Sequence, residues 1–212
     1  MAYLAAEVRR QSIVDAAVNV IASEGLAGAT TRRIAEEAGA PLGSLHYCFR
    51  NKDELIQLVA DRGAEMLQAF FEPVDPGRGL EATIRACIDA MWQWVQDNAG
   101  LQFALIELGI WRIRQGGKAK DVYAMWNRFG GDLLREKLRA ATAADRRELT
   151  IPVEEVVRFI NHRFDGLVLE YVASKDRAAC QRQIELLADA LVAVGLSRAP
   201  RAPRSRRNSP AR

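Results

Sequence analysis

An all-α fold is predicted by three observations. Apolar residues recur at three- and four-residue spacing along most of the chain, the mark of amphipathic helices. Beta-branched residues nowhere alternate with polar ones in strand fashion. Glycine, proline and asparagine cluster at the places where one apolar stripe ends and the next begins.

The elements follow in order. Between Val8 and Ser23 the residues Ile13, Ala16, Ala17, Val20 and Ile21 form one stripe, and Gly25 stands where a left-handed cap would close the helix. Thr30 or Thr31 can cap a short second helix with Ile34, Ala35 and Ala38 on its inner face and Gly39 at its end. Leu42–Phe49 brings Leu45 and Phe49 one turn apart. Asn51 can cap a fourth helix, and Glu54 three residues on completes something close to a capping box. That helix runs to Phe70, and the prolines of 73–77 require a loop. Further helices are expected at about 80–98, 99–115, 119–142, 153–173 and 177–195. Residues 197–212, rich in Arg, Pro, Ser and Ala, have no large apolar anchor and are expected to be disordered.

Composition narrows the class. The chain is 49% hydrophobic and 27% charged over 212 residues, as in ordinary globular proteins, and no run approaches the ~18 apolar residues of a membrane span. Three widely spaced cysteines form neither a disulfide framework nor a zinc spacing, so a cytoplasmic, reducing location is expected. The net charge is +3, but the tail carries six arginines and no acid; subtracting those six charges leaves −3 on residues 1–196. Global charge is therefore no sign of a nucleic-acid partner, and local placement has to decide.

Placement is informative between residues 30 and 52. Two short helices joined through Gly39-Ala40-Pro41 make a helix-turn-helix. The second is about 12 Å long, which suits a major groove roughly 12 Å wide. With Leu45 and Phe49 turned inward, Leu42, Gly43, Ser44, His46 and Tyr47 lie on or beside the outer face. No acidic residue occurs from Ala38 to Lys52, while Arg50 and Lys52 do. An acid-free face is what a polyanion requires.

These residues carry a resemblance. Thr30-Thr31-Arg32-Arg33-Ile34-Ala35-Glu36-Glu37-Ala38-Gly39 followed by Gly43-Ser44-Leu45-His46-Tyr47-Cys48-Phe49-Arg50-Asn51-Lys52-Asp53-Glu54-Leu55 is similar, without gaps over residues 10–60, to the N-terminal signature of the TetR family of transcriptional regulators. The resemblance implies a helix-turn-helix DNA-binding domain over 1–52 and a helical ligand-binding and dimerisation domain over 53–196, with 197–212 as tail. It implies phosphate contacts from Thr31, Arg32 and Arg33, base contacts from Leu42, Gly43, Ser44 and His46, and backbone contacts from Tyr47 and Lys52. Arg33 is equally readable as a solvated charge, and Tyr47 as partly packed. Leu42, His46 and Cys48 depart from the family's usual residues, so the operator sequence is not transferable.

In the larger domain the resemblance implies a cavity for a small, apolar effector. Its candidate walls are Trp92, Phe103, Glu107, Trp111, Tyr123, Trp126 and Asn127, although each aromatic can equally be plain core. Trp92 and Trp94, two residues apart, cannot share one helical face, so at most one inward tryptophan is expected. The stripes Val153, Val156, Val157, Ile160, Phe164, Leu167, Val168, Tyr171 and Ile184, Leu187, Ala188, Leu191, Val192 are expected to form a homodimer's four-helix bundle, or else to pack within one chain. Such a dimer would read an inverted repeat in double-stranded DNA. The expected function is a ligand-released repressor, with an activator or a partner-controlled regulator as the alternative. No nucleophile elbow, phosphate-binding glycine loop, cofactor motif or metal spacing supports an enzyme.

Overall fold

The computed structural model describes residues 2–114, 116, 130–145 and 148–196, and for residues 2–5, His46 and Lys52 the backbone alone. Tyr123, Trp126, Asn127 and the tail at 197–212 lie outside the described residues. Those described form eight helices: α1 (Ala2–Gly28), α2 (Thr31–Glu37), α3 (Leu42–Cys48), α4 (Lys52–Phe71), α5 (Leu80–Arg114), α6 (Asp132–Ala144), α7 (Val153–Ser174) and α8 (Arg177–Gly195). A 3-10 turn at Pro76–Arg78 interrupts the loop before α5, and among the described residues there is no strand.

Local chemistry sets the short helices. The Thr30 hydroxyl accepts the Arg33 amide (3.1 Å) and starts α2. Its end is a Schellman motif: Gly39 sits at φ +59, its amide donates to Glu36 O, and the Ala40 amide reaches Ala35 O at 2.9 Å. Asn51 Oδ1 accepts the Glu54 amide (2.8 Å) to cap α4. Glu54 reaches back to the Arg50 amide (2.8 Å), one residue farther than a capping box requires.

Gly25 does adopt positive φ (72°), but with ψ 179° it is extended and forms no left-handed cap. The chain makes a last turn to Gly28, which carries Leu26 into contact with Ile56 and Leu108. The expected break at 98–100 is a bend at Asn98 (φ −130, ψ 29) inside one long helix. Of the helix expected at 119–142, Asp132–Ala144 is described, and 119–129 lie outside the described residues.

Helix α5 is the axis of the molecule and packs against α1, α4, α6, α7 and α8. This overturns the expectation of at most one inward tryptophan. Trp92 and Trp94 are both 2% exposed, because the outward face of α5 is only a narrow strip through Asp89, Gln93 and Asp97, and packed neighbours cover both of its flanks. Trp92 meets Tyr171 edge-on (5.3 Å) and Trp94 meets Phe70 (5.6 Å). At Gly100 a Cβ would fall 1.9 Å from Ala22 O, so only glycine lets α1 lie this close to α5.

The stripes of α7 and α8 face this same core. Ile160, Leu167, Ile184 and Leu187 are buried within the chain, so these stripes do not supply a surface for a second chain. A different face of the two helices is left open: Phe159, Leu169, Leu186 and Val194 are 48–69% exposed.

Candidate nucleic-acid interface and ligand cavity

The reading head consists of α1, α2, α3 and the first turns of α4. Leu45 and Phe49 are buried, as their spacing predicts, and turn Leu42, Gly43 and Tyr47 outward. Leu42 is 44% exposed and Tyr47 84%; Gly43 is exposed with open space where a Cβ would stand, and Ser44 is half-buried. The side chains of His46 and Lys52 lie outside the described residues; their backbones belong to α3 and to the first turn of α4. Thr31 is half-buried in the first turn of α2.

The two arginines of α2 differ. Arg32 is a highly exposed side chain that pairs with Glu36 (3.1 Å), an exposed pair of small energetic weight. Arg33 is held by Glu24 (2.7 Å) and Glu37 (3.0 Å), which raise its pKa further. Its charge is thereby matched inside the head, and it ties α2 to the end of α1.

Arg10 was not singled out from sequence, yet it clamps the head. Its guanidinium lies over the Phe49 ring (5.3 Å), donates to Cys48 O (3.3 Å) and pairs with Glu54 (2.9 Å). One side chain of α1 thus fixes the end of α3 and the start of α4. The Arg50 amide, and then Arg10, hold the Glu54 carboxyl below the usual range. Arg10 stands 38 residues from Cys48, and no local pattern announces such a contact.

A cavity of about 60 Å³ lies between α4, α5 and α7. Its walls include Ala60, Asp61, Ala64 and Leu67 of α4, Met91, Trp94, Gln102 and Leu105 of α5, and Asn161, Phe164, Asp165 and Val168 of α7. None of the pocket residues expected from sequence and described in the structure lines it. Trp92 packs against α7 elsewhere, Phe103 is half-buried on the core, Glu107 is half-buried with its carboxylate near Gly25, and Trp111 is 47% exposed. The phase of α5 turns Trp94 to the cavity instead. A usable signal was present in α7, where Asn161 and Asp165 sit one turn apart beside the apolar stripe. Burial pushes the Asp165 carboxyl up to about 6, with His162 opposing in part.

Helix α4 joins the two sites. Its first turn is locked to the head through Asn51 and the Glu54–Arg10 pair, and its middle walls the cavity. Arg62 on α4 also pairs with Asp15 of α1 (3.0 Å). Among the described residues no group of three His, Cys, Asp or Glu could hold a metal ion, and no helix is long and apolar enough to cross a membrane.

Comparison with known proteins agrees with this geometry. Residues 13–59 match the family described as "Bacterial regulatory proteins, tetR family". The chain is 35% identical, over 89% of its length and 96% of the relative's, to the HTH-type nicotine-responsive transcriptional repressor HdnoR of Paenarthrobacter nicotinovorans. It is 27% identical, over 82% of its length and 80% of the relative's, to the HTH-type transcriptional regulator SrpR of Pseudomonas putida. Among solved structures, a putative TetR-family regulator from Rhodococcus sp. superposes with TM-score 0.68 at 16% identity, covering 88% of this chain and 97% of that one. The multidrug binding protein EbrR complexed with imidazole gives 0.59 at 22%, covering 92% and 98%.

Proposed function

The chain belongs to the TetR family of bacterial regulatory proteins and is a DNA-binding transcriptional regulator rather than an enzyme, and from that premise we propose that it acts as a homodimeric repressor released from an inverted-repeat operator by a small molecule. The observation that carries this is α4, one rigid helix anchored in the reading head at one end and lining the cavity along its middle. A ligand that fits the cavity better in one setting of α4 than in the other shifts the population toward that setting. Two heads spaced for successive major grooves then no longer match the operator.

Residues 1–52 serve as the reading head and 53–196 as the effector and dimerisation domain. Leu42, Gly43, Ser44 and His46 face the bases, and Thr31, Arg32, Tyr47 and Lys52 hold the phosphate backbone. The internal pairing of Arg33 favours a bracing role in the head over a phosphate contact. The open apolar face at Phe159, Leu169, Leu186 and Val194 supports a two-fold bundle of α7 and α8 from each protomer. That HdnoR is named nicotine-responsive, and that EbrR was solved with imidazole, support a small-molecule effector here.

The test is fluorescence anisotropy on the DNA flanking the protein's own gene. Binding should depend on sequence and weaken steeply with salt. Tyr47→Ala should lower affinity about ten-fold, roughly 1.4 kcal/mol, while leaving thermal stability unchanged, since the side chain is 84% exposed. Absence of sequence-dependent binding to any inverted repeat there would refute the proposal.

A further inference from the structure

We propose that the cavity between α4, α5 and α7 takes a cationic ligand, a protonated amine on a compact apolar body, with Asp165 as its counter-charge. This rests on the cavity being the effector site, and it goes further by assigning the effector's charge.

Asp165 is a half-buried residue on α7 and a wall of the cavity. Among the described residues its carboxylate has no hydrogen-bond or ion-pair partner. Among the described residues, the group that opposes the effect of burial on it is His162, an exposed residue three positions back on the same helix. A carboxylate drawn out of water without a partner is unfavourable, and a ligand cation supplies the missing partner. A second carboxylate, Asp61, stands at the exposed edge of the cavity, where it accepts the Gln57 side-chain amide (2.9 Å). No lysine, arginine or histidine is among the described residues of the lining.

The rest of the wall suits the other half of such a molecule. Trp94, Phe164 and Met91 offer aromatic and thioether surface, which receives a cation as well as an apolar body. The indole N–H of Trp94 is already bonded to Gln102 Oε1 (2.9 Å), so the ring needs no acceptor from the ligand. An anionic ligand would meet two negative charges and no positive one. A neutral ligand would displace water and leave the Asp165 charge without compensation.

The experiment is calorimetric titration of the full chain at pH 7.5 with three probes of matched shape: 2-phenylethylamine, 2-phenylethanol and phenylacetate. The amine should bind about ten- to hundred-fold more tightly than the alcohol, the range of a charge-assisted hydrogen bond, and phenylacetate more weakly than either. Asp165→Asn should remove the amine's advantage and leave the alcohol's affinity within about two-fold, while Asp165→Glu keeps the preference. The wild-type series decides the sign even if the asparagine variant does not fold. An alcohol or carboxylate that binds as tightly as the amine overturns the charge assignment and leaves the effector cavity standing. Failure of all three probes to bind overturns the effector cavity and the assignment with it.

Discussion

Burial lifts the Asp165 carboxyl from the ordinary value near 4 to about 6, and this has a stability consequence of definite sign. The folded state holds the proton more tightly than the unfolded chain, so the contribution is fully present below pH ~4 and is lost as pH rises from about 4 to about 6. Two pH units correspond to roughly 3 kcal/mol, and partial solvation of the cavity reduces this to about 2. Asp165→Asn, which cannot ionise, should therefore stabilise the chain by about 2 kcal/mol at pH 7.5 and by little at pH 4. Urea unfolding at the two pH values measures the difference; equal effects at both would show that desolvation of the charge is not the cause. Cys87, pushed up to about 12 by its burial, remains a thiol and acts as a small core residue.

At the scale of elements, the decisive contact is the crossing of α1 on α5 at Gly100. A methyl group there would meet the backbone oxygen of Ala22, which cannot rotate away as a side chain could. Gly100→Ala should destabilise by about 1–3 kcal/mol and lower the thermal midpoint by several degrees. Because α1 also carries Arg10, the same substitution should weaken DNA binding although Gly100 itself lies outside the reading head. Thermal unfolding followed by anisotropy on the same sample checks both. The caps and the turn of the head were legible in the sequence, because Thr30, Gly39 and Asn51 act on partners within a few residues. The Arg10 clamp and the Glu24–Arg33 tie were not, because they join residues that only the packed helices bring together.

At the scale of the molecule, the open face of α7 and α8 governs assembly. Phe159 and Leu186 are 52% and 61% exposed, so charge placed there leaves the fold of one chain intact. The double variant Phe159→Glu, Leu186→Arg should sediment as a folded monomer. Its affinity for an inverted repeat should fall by at least about a hundred-fold, since one short helix reads too few base pairs alone. A variant that still sediments as a dimer would move the interface elsewhere. The body's net charge of −3 leaves the acid-free surface from Ala38 to Lys52 to attract DNA locally.

The sequence alone determined the helical class, the helix-turn-helix and the outward placement of Leu42, Gly43 and Tyr47 on α3, because caps, periodicity and turn glycines act over a few residues. Tertiary structure decided which stripes were inner. The stripes of α7 and α8, which the sequence left open to a partner chain or to one chain's own core, are buried against α5, and the face left open is the less apolar one. It also decided the cavity. Periodicity says that a helix has an apolar side but not how many neighbours it has. With five packed around α5, Trp92 and Trp94 are both core, and which neighbour each one faces, α4 and the cavity for Trp94 or α7 for Trp92, follows from the phase at which α5 is packed.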